Sequence, residues 1–202
     1  MARTTPGVTR GRILDEAIRL FSTRGYDATS VVDIQVACGL APGSGALYKH
    51  FPSKKALLEQ AVRRNLELMA SRRAAAVTDV PDDPRAALRL LAGVVWEVMD
   101  SERDLVRIMI REFAGFPELF EEMWQGVLAT LYRECAAWLS GLRDQGRTRV
   151  TDPEATAGVL VASLTYYPIL DALIGHTPGD LAPDRFLAAW LDHAVATLGI
   201  TD

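Results

Sequence analysis

The chain has 202 residues, 49% hydrophobic and 24% charged, with a formal net charge of −4. That balance suits one or two globular domains with a normal core and excludes a disordered or collagen-like polymer. No run of 18 apolar residues free of charge is found, and the N-terminal MARTTPGVTRGR lacks the apolar stretch of a secretory signal, so a cytoplasmic protein without membrane contact is expected. Cys38 and Cys135 lie far apart with no C-x-x-C partner, which argues against a disulfide framework or a metal site; both are expected as small buried thiols.

Helical spacing runs along the whole chain and strand alternation is nearly absent, which predicts an all-α fold of about nine helices. In chain order, Ile13, Ala17, Leu20 and Phe21 share one helical face, with Thr9 placed to cap that helix and Gly25 to close it. Thr29 and Ser30 open a short second helix, where Ser30-Val-Val-Asp33 has capping-box spacing, and Gly39 ends it. Ser53 caps a long helix whose apolar positions Leu57, Leu58, Ala61, Val62 and Leu66 carry it to about residue 77. Asp83-Pro84, Phe116-Pro117 and Asp152-Pro153 each place proline at a first helical position. The last two helices are expected over 152–175 and 184–198. The stretch Val80–Pro84 reads as a loop, and no internal repeat is present.

The net charge hides a segregation. Residues 1–73 carry twelve Lys+Arg against six Asp+Glu, whereas 74–202 carry ten against twenty. A basic end and an acidic body point to a polyanion met at one end only.

The basic end contains PGSGALYKHFPSK, residues 42–54. If 42–51 is a helix, Leu47 and Phe51 lie one turn apart and anchor it to the helices before it. Gly45 and Lys49 then point away, with Pro42 near them, Ser44 in the same run of small residues, and Ala46 and Tyr48 on the flanks. A small and cationic face lets the backbone approach a DNA major groove about 12 Å wide while Lys49 reaches a base edge or phosphate. With the preceding short helix and its turn around Gly39-Leu40, this makes a helix-turn-helix.

From Arg12 to Leu58 the residues Ile13, Ala17, Leu20, Phe21, Gly25-Tyr26, Ala28-Thr-Ser-Val-Val-Asp-Ile34, Gly39-Leu40, Ala46-Leu-Tyr-Lys-His-Phe51 and Ser53-Lys54 resemble the N-terminal DNA-binding domain of TetR-family transcriptional regulators. The resemblance covers about a quarter of the chain. It implies an all-helical homodimer with a flexible arm (1–8), a three-helix helix-turn-helix domain (9–53), and a ligand-binding and dimerisation domain (54–202) entered through a connecting helix (53–77). It also implies a repressor released from double-stranded DNA by a small molecule. Carried over by position, Thr29 and Ser30 would meet phosphate, Tyr48 and Lys54 would touch the backbone, and His50 is a further contact. A lysine in a helix's first turn opposes the macrodipole, so a phosphate near Lys54 would account for it. The chain departs from the family pattern by two extra residues in Ala41-Pro-Gly-Ser44, which either lengthen the recognition helix or widen the turn. Arg3, Arg10 and Arg12 read as an electrostatic arm. A two-fold dimer implies a palindromic operator.

In the acidic body, Trp96, Met99, Met109, Phe113, Phe116, Trp124, Tyr132 and Trp138 recur at helical spacing; most are core and some line a pocket for a hydrophobic effector. Glu112 and Glu134 either orient that ligand or face solvent. Tyr167 and Asp171 share a face, and Asp171 either lines the pocket, meets an arginine across a dimer seam, or is a partly exposed acid. The last two helices hold more apolar surface than one side needs, so Val159, Phe186, Trp190, Leu191 and Val195 are expected at an isologous dimer interface. His50, His176 and His193 lie in different helices, with no phosphate loop, nucleophile elbow or His-x-x-x-His pair, so no catalytic residue, metal or cofactor is expected. The remaining rival is a DNA-binding protein without an effector that acts through protein partners.

Overall fold

The computed structural model describes residues 6–43, 45–76 and 79–200, with the backbone alone at 6–9 and 76. Every regular element among them is helical: α1 (Pro6–Arg24), α2 (Val31–Ala37), α3 (Lys54–Ala76), α4 (Pro84–Ser101), α5 (Arg103–Glu112), α6 (Pro117–Met123), α7 (Ala129–Asp144), α8 (Pro153–Ile174) and α9 (Pro183–Leu198). A π-helical turn, Trp124–Leu128, carries α6 into α7 without a break, so the nine segments amount to eight separate helices.

The starts follow local chemistry. Ser30 Oγ accepts the Asp33 N–H at 3.1 Å while Asp33 accepts the Ser30 N–H at 2.8 Å, completing the capping box. Ser53 caps α3 through the Ala56 N–H, and Asp83 and Asp152 cap α4 and α8, each with proline next in the chain. The first helix differs from expectation. It begins at Pro6, three residues before Thr9, because a proline ring already holds the φ that a first helical residue needs.

Two compact units divide the chain: Met1–Leu68 with Asp104–Glu122, and Met69–Arg103 with Met123–Asp202. In the first unit α1 packs on α2. Ile13, Leu14, Phe21, Ile34, Leu47, Phe51, Leu57 and Leu58 are its fully buried large side chains from the N-terminal stretch, and Leu105 and Ile108 join them from α5. Each such burial contributes about 1.5–3 kcal/mol. The Tyr26 ring lies between Phe21 and Phe116, at 5.4 and 4.8 Å between centroids.

In the second unit α8 packs on α4 and α7, and α9 on α4. Over 18 residues α8 reaches a mean hydropathy of 1.6, enough in length and composition to cross a bilayer, yet 44% of that window is buried and it serves as the core helix of this unit. Trp190 and Leu191, expected at a dimer seam, lie inside their own protomer. Trp190 is 5% exposed and its indole Nε1 donates to Ser163 Oγ at 3.0 Å, so an apolar face with one polar handle is used internally. Phe186 and Val195 are half-buried, and the surplus apolar face falls on α8, where Val159 is 65% and Tyr166 58% exposed.

Candidate functional site

The helix-turn-helix of the first unit is closed by a Schellman arrangement: Leu40 N–H donates to the Gln35 carbonyl at 2.8 Å and Gly39 N–H to the Val36 carbonyl at 2.9 Å, with Gly39 at φ 67°. The following segment is not a helix from residue 42. Gly43 and Gly45 stand at φ 71° and 64°, outside helical space, and the helical turn is confined to 45–51, where Lys49 N–H reaches the Gly45 carbonyl and Phe51 N–H the Leu47 carbonyl. The two additional residues therefore widen the turn. A Cβ at Gly43 or Gly45 would meet nothing within 4 Å, so left-handed backbone rather than lack of room within the chain accounts for the glycines. Ser44 lies outside the described residues.

Gln35, which the sequence reading passed over, organises this loop. It is almost wholly buried and its Oε1 accepts the Gly43 N–H at 3.0 Å. Its polarity inside a helix that otherwise buries Ile34 was the available signal.

Leu47 and Phe51 are fully buried, as their spacing requires, while Tyr48 and Lys49 project from the opposite side, Tyr48 with 55% of its surface exposed. Pro42 is exposed, and Gly45, Ala46 and His50 are half-buried. Arg10 places its guanidinium 5.3 Å from the Phe51 ring centroid and bonds Gln60, so this member of the expected arm is fixed. Arg12 is exposed, and Arg3 lies outside the described residues.

Two expected phosphate contacts are engaged inside the unit. Thr29 is 0% exposed and its hydroxyl faces the Gly25 carbonyl at 2.8 Å and that of Leu20 at 3.3 Å. Lys54 Nζ donates to the carbonyls of Tyr26 at 2.8 Å and Thr29 at 3.1 Å and sits 4.1 Å from the Tyr26 ring centroid. Those carbonyls and that π face supply the negative potential that its place in a helix's first turn calls for. One of its three N–H groups is left over. Ser30 stays exposed, but its hydroxyl is shared with Asp33.

The aromatic run of the acidic body divides. Met109, Glu112, Phe113 and Phe116 belong to the first unit. Glu112 Oε1 accepts the Tyr26 N–H at 3.0 Å, Phe116 packs on Tyr26, Met109 is core, and Phe113 meets Phe120 edge-on at 4.7 Å. Helical periodicity signals that a side chain is buried without saying against what. Glu134 is paired with Arg73 rather than aimed at a cavity.

Trp96, Met99, Tyr167 and Asp171 do come together. With Asp100, Arg103, Pro168, Thr177, Leu181 and Pro183 they line a cleft of about 180 Å³ in the second unit. Phe186 stacks on Tyr167 at 4.2 Å and thereby backs its wall. Asp171 meets Arg103 of its own chain, Nη1 to Oδ2 at 2.6 Å, which identifies the arginine that its position called for. Pro168 sits inside α8 and cannot donate a backbone hydrogen bond there. Trp124 and Tyr132 form a separate ring pair at 6.2 Å, outside this cleft. Among the described residues no His, Cys, Asp or Glu cluster could hold a metal ion.

The profile of the bacterial regulatory proteins of the tetR family matches residues 13–61, and that of the AefR-like transcriptional repressor C-terminal domain matches residues 86–198. The chain belongs to the TetR family of transcriptional regulators. It is 26% identical over 203 residues to the HTH-type transcriptional regulator EthR of Mycolicibacterium smegmatis, covering 98% of this chain and 92% of that one. It is 35% identical over 132 residues to the HTH-type transcriptional repressor KstR2 of Rhodococcus jostii, covering 59% and 63%. The crystal structure of a tetR-family regulatory protein from Rhodococcus RHA1 superimposes with a TM-score of 0.73 at 22% identity, covering 98% of this chain and 100% of that one. A TetR-family regulator is not an enzyme, and its helix-turn-helix binds DNA.

Proposed function

We propose that this TetR-family regulator is a cytoplasmic homodimeric repressor that holds a palindromic operator and releases it when a hydrophobic small molecule enters the second unit. The observation that carries the reading is the division of one short turn, with Leu47 and Phe51 fully buried and Tyr48 and Lys49 presented outward. Tyr48, Lys49 and His50 are assigned to the DNA, with Pro42, Gly45 and Ala46 at the approach, while Thr29 and Lys54 hold the turn from behind. The exposed Val159 and Tyr166 stripe of α8 is assigned to the two-fold seam. The cleft favours an effector over action through protein partners alone. Arg72 of α3 pairs with Glu102 at 2.8 Å, next in sequence to the cleft's Arg103, which gives an occupied cleft a lever on the helix that begins at Lys54.

Selection from a random duplex pool tests the DNA half: inverted repeats with half-sites about one helical turn apart are expected, and enrichment of asymmetric sites overturns the dimer reading. Sedimentation should give twice the 22.1 kDa chain mass, and Val159→Glu should return the protein to the monomer.

A further inference from the structure

We propose that the cleft of the second unit selects an organic cation, a protonated or quaternary amine on a compact apolar or aromatic body. The proposal rests on the effector reading above and adds the charge of the ligand.

Three charged side chains line the cleft: Asp100, Arg103 and Asp171. Arg103 is already committed. Besides the 2.6 Å contact to the Asp171 carboxylate, its Nη2 donates to the Asp171 main-chain oxygen at 3.3 Å, so one residue neutralises the guanidinium and fixes it by two bonds. Asp100 reaches Arg103 at 3.5 Å, with 68% of its side chain exposed. Two carboxylates against one guanidinium leave a negative charge at the rim. An entering anion must displace Asp171 and strand its carboxylate near that of Asp100, whereas a cation takes up the surplus charge and leaves the pair intact.

The walls suit the same ligand. The Trp96 and Tyr167 rings stand 6.3 Å apart between centroids at 36°, and ring faces attract cations. The Tyr167 hydroxyl donates to the Pro178 carbonyl at 2.5 Å, which pins the ring and leaves its face rather than its O–H to the ligand. Buried Met99 and Pro168 add an apolar floor. At about 180 Å³ the space falls below the roughly 300–1,000 Å³ of drug-sized sites, which sets the body at a single ring or a few alkyl groups.

The test is calorimetric titration of the full-length protein with benzyltrimethylammonium, benzyl alcohol and phenylacetate, with tryptophan fluorescence read in parallel and operator retention measured separately. The ammonium is expected to bind at least tenfold more tightly than either comparator, Asp100→Asn to remove most of that preference while benzyl alcohol binding is unchanged, and Trp96→Leu to weaken the ammonium most. Equal or tighter binding of the alcohol or the carboxylate, or no binding by any of the three, overturns the proposal. Release of the operator by the alcohol or the carboxylate would overturn the cation while leaving the effector reading standing. Tight ammonium binding with the operator retained would support the site and sink the effector reading.

Discussion

The polar side chains that shape the helix-turn-helix and those at the cleft and the end of α3 differ in their partners. Behind the helix-turn-helix, side chains bond to backbone: Thr29 to Gly25, Gln35 to Gly43, Lys54 to Tyr26 and Thr29, Arg111 to Ser22, and Glu112 to the Tyr26 N–H, while ion pairs of that unit such as Arg63 with Glu122 and Arg64 with Asp15 involve α3 instead. In the second unit the charged groups at the cleft and the end of α3 pair with one another: Arg103 with Asp171, Arg72 with Glu102, Arg73 with Glu134. A side chain bound to backbone fixes the course of the chain and leaves a ligand nothing to exchange with. A side-chain pair can trade partners. The first arrangement suits a surface that must match DNA in one shape, and the second suits the effector response proposed for the cleft.

The largest expected effect separates Lys54 from Tyr48. Lys54→Met should cost about 2–3 kcal/mol, because it orphans two carbonyls and removes an ammonium from a ring face. It should lower operator affinity more than tenfold by letting the turn drift. Tyr48→Ala should leave stability within about 0.5 kcal/mol of wild type while weakening all DNA sequences alike. Urea denaturation beside binding at several salt concentrations checks both. A Lys54→Met protein of wild-type stability that cannot bind DNA would return the ammonium to the phosphates.

Glu112 sharpens the same contrast from the other side. Its carboxylate bonds a backbone N–H of the first unit, so Glu112→Ala should destabilise by about 1–2 kcal/mol and leave calorimetric ligand binding unchanged. Loss of ligand affinity with full stability would place Glu112 back among the effector contacts.

How far the sequence could be read follows the same line. The helix starts at Ser30, Asp83 and Asp152 and the anchors Leu47 and Phe51 were legible because caps and helical faces are set by residues three or four apart. The roles of Lys54 and Glu112 were not, since their partners lie 28 and 86 residues away and belong to main-chain atoms, which carry no sequence signature. Within the cleft, Tyr167 and Asp171 were found as one helical face and Trp96 and Met99 as an aromatic run. Asp100 and Arg103 were missed, because a charged pair at a helix end reads as solvated surface until the fold brings Asp171 to it. Trp190 was misplaced for a related reason: apolar excess can be counted from sequence, but which helix keeps it depends on packing.

The smallest expected effect tests the rule at the start of α2. The Ser30 hydroxyl and then its backbone N–H hold the Asp33 carboxyl below its ordinary 3.8, with Arg24 adding a weaker pull. A carboxyl whose folded pKa is depressed stabilises the fold fully above the unfolded value and loses that contribution as the pH falls through both. Asp33→Asn should therefore melt below wild type at about pH 5–7, and the gap should close as the pH drops below about 4. Ser30→Ala removes the side-chain bond that shifts Asp33 most, so in that background the gap and its pH dependence should both shrink. If the difference between wild type and the Asp33→Asn variant stays constant down to the acid limit, the carboxylate is not titrating against the cap, and the helix start is held by backbone geometry instead.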